Sequence, residues 1–513
     1  MGKGDDPNCK AAGTAGATSM NIDPIDSSPL YRTLDKRDDY RLVETTNGFQ
    51  VPIYGTTDKA TIEQMARCLE HPSARAGAAM ADNHLGYSQP VGGVVAYKDF
   101  ISVSGVGFDI ACGLKVIRTN LRAEDVPVAQ IMDEIVKQIP FGLGRKSAKR
   151  PDHPVLDRIR DAAFAPQREL LDNAAQNLGS VGSGNHFVDL LVEEGGEHDG
   201  QLCIAAHFGS RGFGHKTATG FLAMYYEDQR RKGLLSPEHR RKNAREKEGW
   251  SLEQFFFDKP QVGEKIDGPP VLLDTTKGLG EAYVEAMNLA GEYAYAGRDM
   301  VLDRVLGILG AQGTFEVHNN HNLAWKQRVG GEDCWVVRKG ATPAAPGEMG
   351  FVGGSMGDVC VVVQGVESDA SKQALYSTVH GAGRQMSRAE AAGPQKKQWA
   401  CKHPGCRQLL GRTHVDHQPQ QPLACSKHPE AGAKKVLARM TGQAKINWHE
   451  VKADLAAKGV EVRGAAADEA PGAYKQLDSV IAAHEGQINV VTRMRPIGVA
   501  MAAPDEFDPF KGD

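Results

Sequence analysis

The chain has 513 residues, 41% hydrophobic and 24% charged, enough for a large core and for about three domains or one large unit. A net charge of −4, from 60 basic and 64 acidic residues, excludes a global basic field, so any nucleic-acid binding must come from local patches. No apolar run approaches the roughly 18 residues of a membrane helix, and nine cysteines scattered without a secretory signal fit reduced thiols in the cytoplasm.

Residues 1–30 lack an apolar signal core and read as a flexible tail. Short β-branched runs predict strands at 94–97, 114–118, 202–206, 271–273, 334–338 and 359–363. Apolar spacing predicts helices over 124–138 and 281–309. The charge run at 230–250 reads as a solvated helix face, with RNA contact the lesser reading. This interleaving predicts an α+β class: one large mixed domain built from 31–394 and 433–501, followed by a tail over 502–513.

Residues 395–432 break the composition, being rich in Cys, His, Pro and Gln. Cys401 and Cys406 bracket a Lys-His-Pro-Gly knuckle, and Cys425 stands three residues before His428. A C-x4-C…C-x2-H set can close a tetrahedral zinc site in a loop too polar to fold alone. His403, His414 and His417 are rival ligands, and an incidental surface insertion is the alternative.

Several Gly-rich stretches carry metal-capable side chains. GVGFDIACGL (105–114) sets Asp109 and Cys112 three residues apart, a spacing at which carboxylate and thiolate can share one cation or bridge two. GSVGSGNHFVD (179–189) offers Asn185 and His186, AAHFGSRGFGHK (205–216) His207, and VHNNHNLAW (317–325) His318 and His321. GGSMGD (353–358) has the glycine content of a phosphate loop. Each alone suits a structural turn or a hydrogen-bonded histidine. Together they place ligand-type residues at loops following strands, where α/β folds build sites. VHGAGRQMSR (379–388) adds His380 before Gly381, Ala382 and Gly383, which let a large ligand approach, and Arg384 and Arg388, whose forks match phosphate oxygens.

These stretches, with MADNHLGYSQPVGG and RKGATPAAPGE, resemble the RtcB-type RNA-splicing ligases from about residue 50 to 500, the 395–432 insertion standing outside. The resemblance implies a two-manganese site with Asp109, Cys112, His186, His207 and His321 as ligands and the Cys112 thiolate shared. It implies that His380 attacks the α-phosphorus of GTP to form a covalent guanylate. It places Asn185 near the GTP phosphates, Arg384 near the nucleotide or the RNA end, and Asp189, Ser355 and Tyr474 at the guanine pocket. The implied reaction joins RNA 3′-phosphate or 2′,3′-cyclic-phosphate ends to 5′-hydroxyl ends, with tRNA halves as substrates and an activating protein as a further partner. Three positions depart from the family: Asp189 replaces a glutamate, Cys360 a common serine, and Met501 a C-terminal lysine. Methionine carries neither charge nor a donor, so the departures bear on nucleotide preference and turnover. The alternatives are a paralogue of altered nucleotide or end specificity, or a metal-binding RNA-interaction protein without ligase activity.

Overall fold

The computed structural model describes residues 25–147, 150–235, 249–258, 268–403, 406, 408, 410, 425–439 and 441–503. Two large sheets form the body, giving the mixed α+β architecture that the interleaved pattern predicts. The first runs in space as Ser27–Ser28, Tyr31–Arg37, Tyr40–Thr45, Gln50–Tyr54, Ala74–His84, Val91–Lys98, Glu332–Lys339 and Asn322–Val329. Its pairings are antiparallel except where the Gln50–Tyr54 strand meets Ala74–His84. The second runs Gly313–Asn320, Gly113–Arg122, Gln201–Phe208, Phe187–Glu194, Ile488–Met501, Cys360–Gly365 and Met349–Val352, with Glu461–Arg463 parallel to the Ile488–Met501 strand. That strand contains Pro496, which has no N–H for the ladder; the register shifts between Pro496 and Gly498, a bulge that accommodates it.

Helices cover these sheets. Gly278–Leu309 is the longest, at 32 residues, and ends where Gly310 turns left-handed with φ 62°. It buries a run of small and aromatic residues, including Ala286, Ala290, Tyr293 and Ala294, against the helix Arg211–Arg231 and its Phe213 and Phe221. Arg298 is the buried exception on this helix. Its guanidinium donates to the carbonyls of Ala111 at 3.0 Å and Phe208 at 2.6 Å, and its Nε donates to His318 at 2.8 Å. This arginine anchors the helix to the strand ends that carry the site.

Several boundaries differ from expectation for local reasons. The 124–138 helix opens as the tight turn Ala123–Asp125 and becomes regular only at Val128–Gln138, because Pro127 occupies the cap. The 271–273 strand is Leu272–Asp274. Ser27–Ser28 pairs with Tyr31–Arg32, so the described end of the 1–30 segment belongs to the sheet. The Cys/His-rich segment extends past 432: Gln395–Cys401 pairs with Ala433–Arg439 as a hairpin. Of the 230–250 charge run, Arg230 and Arg231 close a helix and pair with Glu227, while 236–248 lie outside the described residues.

Candidate active site

The second sheet gathers the candidate ligands at one end. Its strands other than Glu461–Arg463 pair antiparallel, so neighbours alternately begin and end there. Cys112 precedes the Gly113–Arg122 strand, His186 precedes Phe187–Glu194, His207 ends Gln201–Phe208, and His321 stands between Gly313–Asn320 and Asn322–Val329. Register fixes them as neighbours, with His207 opposite Phe187 and Leu114, and Asn320 opposite Gly113. The sequence pattern put every ligand after a strand. Cys112 and His186 instead come before theirs, as an antiparallel sheet requires.

The donor atoms converge on two points that share one sulfur. One group is Cys112, His207 and His321; the other is Asp109, Cys112 and His186. The Cys112 sulfur lies 3.3 Å from His207 Nε2 and 3.6 Å from His186 Nε2, and the His207 and His321 Nε2 atoms are 3.5 Å apart. His186 Nε2 is 2.9 Å from Asp109 Oδ2. Ligands held near 2.1 Å from one ion at tetrahedral angles stand about 3.4 Å apart, so these spacings suit shared cations. The Asn185 carbonyl lies 3.1 Å from His207 Nδ1 and holds that ring, leaving Nε2 to face the sulfur. Burial first, then neighbouring imidazoles, pushes His207 and His321 well below the ordinary histidine range, so both are neutral and able to ligate. Burial alone would raise Asp109, but His186 holds it down to about 2. Burial also pushes the Cys112 thiol well up, so only a nearby cation would favour its thiolate. The donor set would hold divalent cations, with Cys112 common to both groups. His318 is not in either group, because its ring is occupied by Arg298.

His380 stands beside this cluster. It follows the strand Ser377–Val379, which pairs with Ala341–Pro343, and the Ala341 amide donates to the His321 carbonyl at 3.1 Å. The His321 and His380 rings meet edge to face with centroids 4.8 Å apart. Sequence reading missed the residue behind His380. Asp82, fully buried, has Oδ2 2.5 Å from His380 Nδ1 and accepts from the amides of His380 at 2.9 Å and Gly381 at 3.3 Å. Burial would raise this carboxyl, yet His380 and, more distantly, Lys475 hold it below the ordinary range. An ionised carboxylate only accepts, so this contact calls for a proton on the Nδ1 side of the ring. The available signal was the lone acid closing the small and apolar run AGAAMAD (76–82).

The space around these groups is a cavity of about 300 Å³. Its lining includes every ligand above, His380 to Arg384, Asn185, Asp189, Ser355, Tyr474 and Met501. Gly383 has a further role besides leaving room for a ligand: at φ 73° it packs against the backbone of Asp82, where a Cβ would collide. Arg384 donates to the Asp468 carbonyl at 2.9 Å and the Tyr474 hydroxyl at 3.2 Å, and Arg388 pairs with Asp468 at 3.2 Å and with Glu469. The Tyr474 hydroxyl in turn donates to Glu469. At the far wall, Phe187 and Asp189 of one strand face Met501 and Val499 of its neighbour. Asp189 Oδ1 has no hydrogen-bond partner among the described residues, and burial pushes its carboxyl well above the usual range. Cys360 is buried in the core beneath, its thiol pushed up to about 12 by burial.

A family model described as tRNA-splicing ligase RtcB matches residues 64–166, 159–421 and 413–502. The chain belongs to the RtcB family. Relatives named tRNA-splicing ligase RtcB from Thermococcus kodakarensis and Archaeoglobus fulgidus are each 27% identical, over 86% and 88% of this chain and 90% and 95% of their own length. RNA-splicing ligase RtcB of Escherichia coli is 27% identical over 82% of this chain and 88% of its own. The match runs on into 395–432, which the motifs alone had set outside the RtcB resemblance. No helix among the described residues is long and apolar enough to cross a membrane. Within the hairpin, Cys401, Cys406, Cys425 and His428 converge; His403 lies outside that group, and His414 and His417 lie outside the described residues.

Proposed function

We propose that this RtcB-family protein is an RNA ligase of tRNA splicing or RNA repair that joins 3′-phosphate or 2′,3′-cyclic-phosphate ends to 5′-hydroxyl ends. It uses GTP, two manganese ions and a guanylate on His380. The observation that carries the reading is His380, oriented by Asp82 and set against a five-residue donor cluster in one cavity. His380 Nε2 attacks the α-phosphorus of GTP, pyrophosphate leaves, and Asp82 keeps the Nδ1 proton in place throughout. A 2′,3′-cyclic phosphate is first opened by water to a 3′-phosphate; the RNA 3′-phosphate then displaces His380 from the GMP phosphorus, and the 5′-hydroxyl displaces GMP as the phosphodiester forms. Bound at Asp109, Cys112, His186, His207 and His321, divalent ions would neutralise the triphosphate and stabilise pyrophosphate as it departs. Manganese is chosen by family resemblance, since this mixed donor set suits zinc or cobalt as well.

The remaining lining supports positioning roles. Arg384 carries its guanidinium at the cavity wall, the glycines at 381 and 383 keep the backbone close, and Ser355 and Tyr474, which the family resemblance assigns to the nucleobase, line the same cavity. The neutral Asp189 beside Met501 favours one variation, a base pocket with weaker preference for guanine. A carboxylic acid both donates and accepts, whereas guanine's N1 and N2 edge calls for acceptors alone. The test is ligation of a 5′-hydroxyl RNA to a 3′-phosphate RNA with GTP and manganese. Product with wild type and none with His380→Ala is expected; equal product from both would overturn the reading.

A further inference from the structure

Outside the cavity, one other convergence of donor atoms stands among the described residues. Cys401 ends the first strand of the 395–439 hairpin, Cys406 follows its knuckle, and Cys425 and His428 lie just before the returning strand. The Cys406 and Cys425 sulfurs are 3.8 Å apart, and His428 Nδ1 is 3.8 Å from Cys425 and 3.9 Å from Cys401. All four donor atoms lie within 4.8 Å of one another. A disulfide needs about 2.05 Å, so these sulfurs are not joined. A tetrahedron with bonds near 2.3 Å has edges of about 3.8 Å, matching the separations seen.

The surrounding backbone is built to hold such a group. Cys401 and Cys425 are buried, at 0% and 1% exposure, in a segment with little core of its own. The His403 amide points at the Cys401 sulfur from 3.4 Å, and the Cys406 amide donates to the His403 carbonyl at 3.1 Å, closing the knuckle around one donor. Amide donors to sulfur favour the thiolate form that a metal requires. The rival His403 presents its face to His428, with centroids 3.8 Å apart and planes 7° from parallel, so it covers the imidazole without joining the donors.

We propose that Cys401, Cys406, Cys425 and His428 hold one zinc ion as a closed structural site, chemically separate from the cavity cluster. Three thiolates and an imidazole are soft donors that select zinc over magnesium, calcium or manganese. Four protein ligands leave no open position, so the ion staples the tip of the hairpin and binds no substrate. The hairpin leaves from the helix Arg388–Ala392, eight residues after His380, and its return is tied there by the Lys445 amide donating to the Glu390 carbonyl at 2.8 Å.

The test is metal content of the purified full chain by mass spectrometry, with cobalt spectra of protein expressed in cobalt medium. One zinc per chain is expected in Cys112→Ala, where the cavity cluster is broken, and one fewer than wild type in Cys401→Ser/Cys425→Ser, while His403→Ala keeps the wild-type content. Wild type and Cys112→Ala should both give tetrahedral thiolate–cobalt bands. Zinc unchanged in the double variant, or zinc lost only in Cys112→Ala, overturns the proposal. Because the double variant could lose metal by misfolding, the Cys112→Ala cobalt spectrum decides independently: no tetrahedral thiolate bands there overturns the proposal. Retention in His428→Ala with loss in His403→Ala overturns the fourth ligand.

Discussion

Asp82 is fully buried, and its charge is directed at a single ring, His380. A neutral amide in its place keeps the shape but no longer holds the Nδ1 proton. Asp82→Asn should therefore slow guanylate formation about 10–100-fold, the usual cost of losing such a partner, with metal content unchanged. Single-turnover transfer of labelled GMP measures this; an unchanged rate would remove Asp82 from the account. Across the cavity, Met501→Lys would put an ammonium near Asp189, whose Oδ1 has no hydrogen-bond partner among the described residues, drawing that carboxyl to its ionised, accepting form. The variant should gain about tenfold in preference for GTP over ATP, read from competition during guanylylation, the scale of one hydrogen bond to a charged group. At this scale the chemical residues were legible: Asp109, Cys112, His186, His207, His321 and His380 all reach one cavity. Asp82 was not, because its role depends on a strand 298 residues away in sequence.

The elements turn scattered motifs into a site by ending together. Gln201–Phe208 and Gly313–Asn320 finish where Gly113–Arg122 and Phe187–Glu194 start, and this depends on antiparallel pairing that local patterning does not encode. The runs themselves were readable, since β-branched stretches such as 334–338 and 359–363 fall inside or across strands. Gly383 shows how a motif can carry two meanings. The sequence suggested space for a ligand, whereas the element geometry also needs a residue at φ 73° without a Cβ against Asp82. Gly383→Ala should cost about 1–3 kcal/mol through that strained conformation and lower the thermal midpoint. An unchanged midpoint would mean that the loop and the Ala74–His84 strand move apart freely.

Across the whole molecule, buried and half-buried imidazoles make stability depend on pH. Desolvation pushes His84 down to about 4 and His318 to about 2, with His207 and His321 also well below the ordinary histidine range. The unfolded chain takes up these protons first as the pH drops below about 6.5. Metal-free protein should therefore lose stability on acidification from that point, the His84 share being complete near its folded value of about 4. His84→Asn should reduce proton uptake on unfolding by about one over this window, measured from the pH dependence of denaturant midpoints; an unaltered slope would contradict the depressed, half-buried His84. Composition and interleaving made the α+β class legible at this scale. The order of the two sheets was not, because strands such as Ile488–Met501 enter beside partners hundreds of residues earlier.

The most direct measurement is the intact mass of the full chain after incubation with GTP and manganese, for wild type and His380→Ala. The account predicts a gain of one GMP on wild type and none on the variant. A gain of the same mass on His380→Ala, or no gain on wild type with the cavity metals shown to be bound, would contradict it.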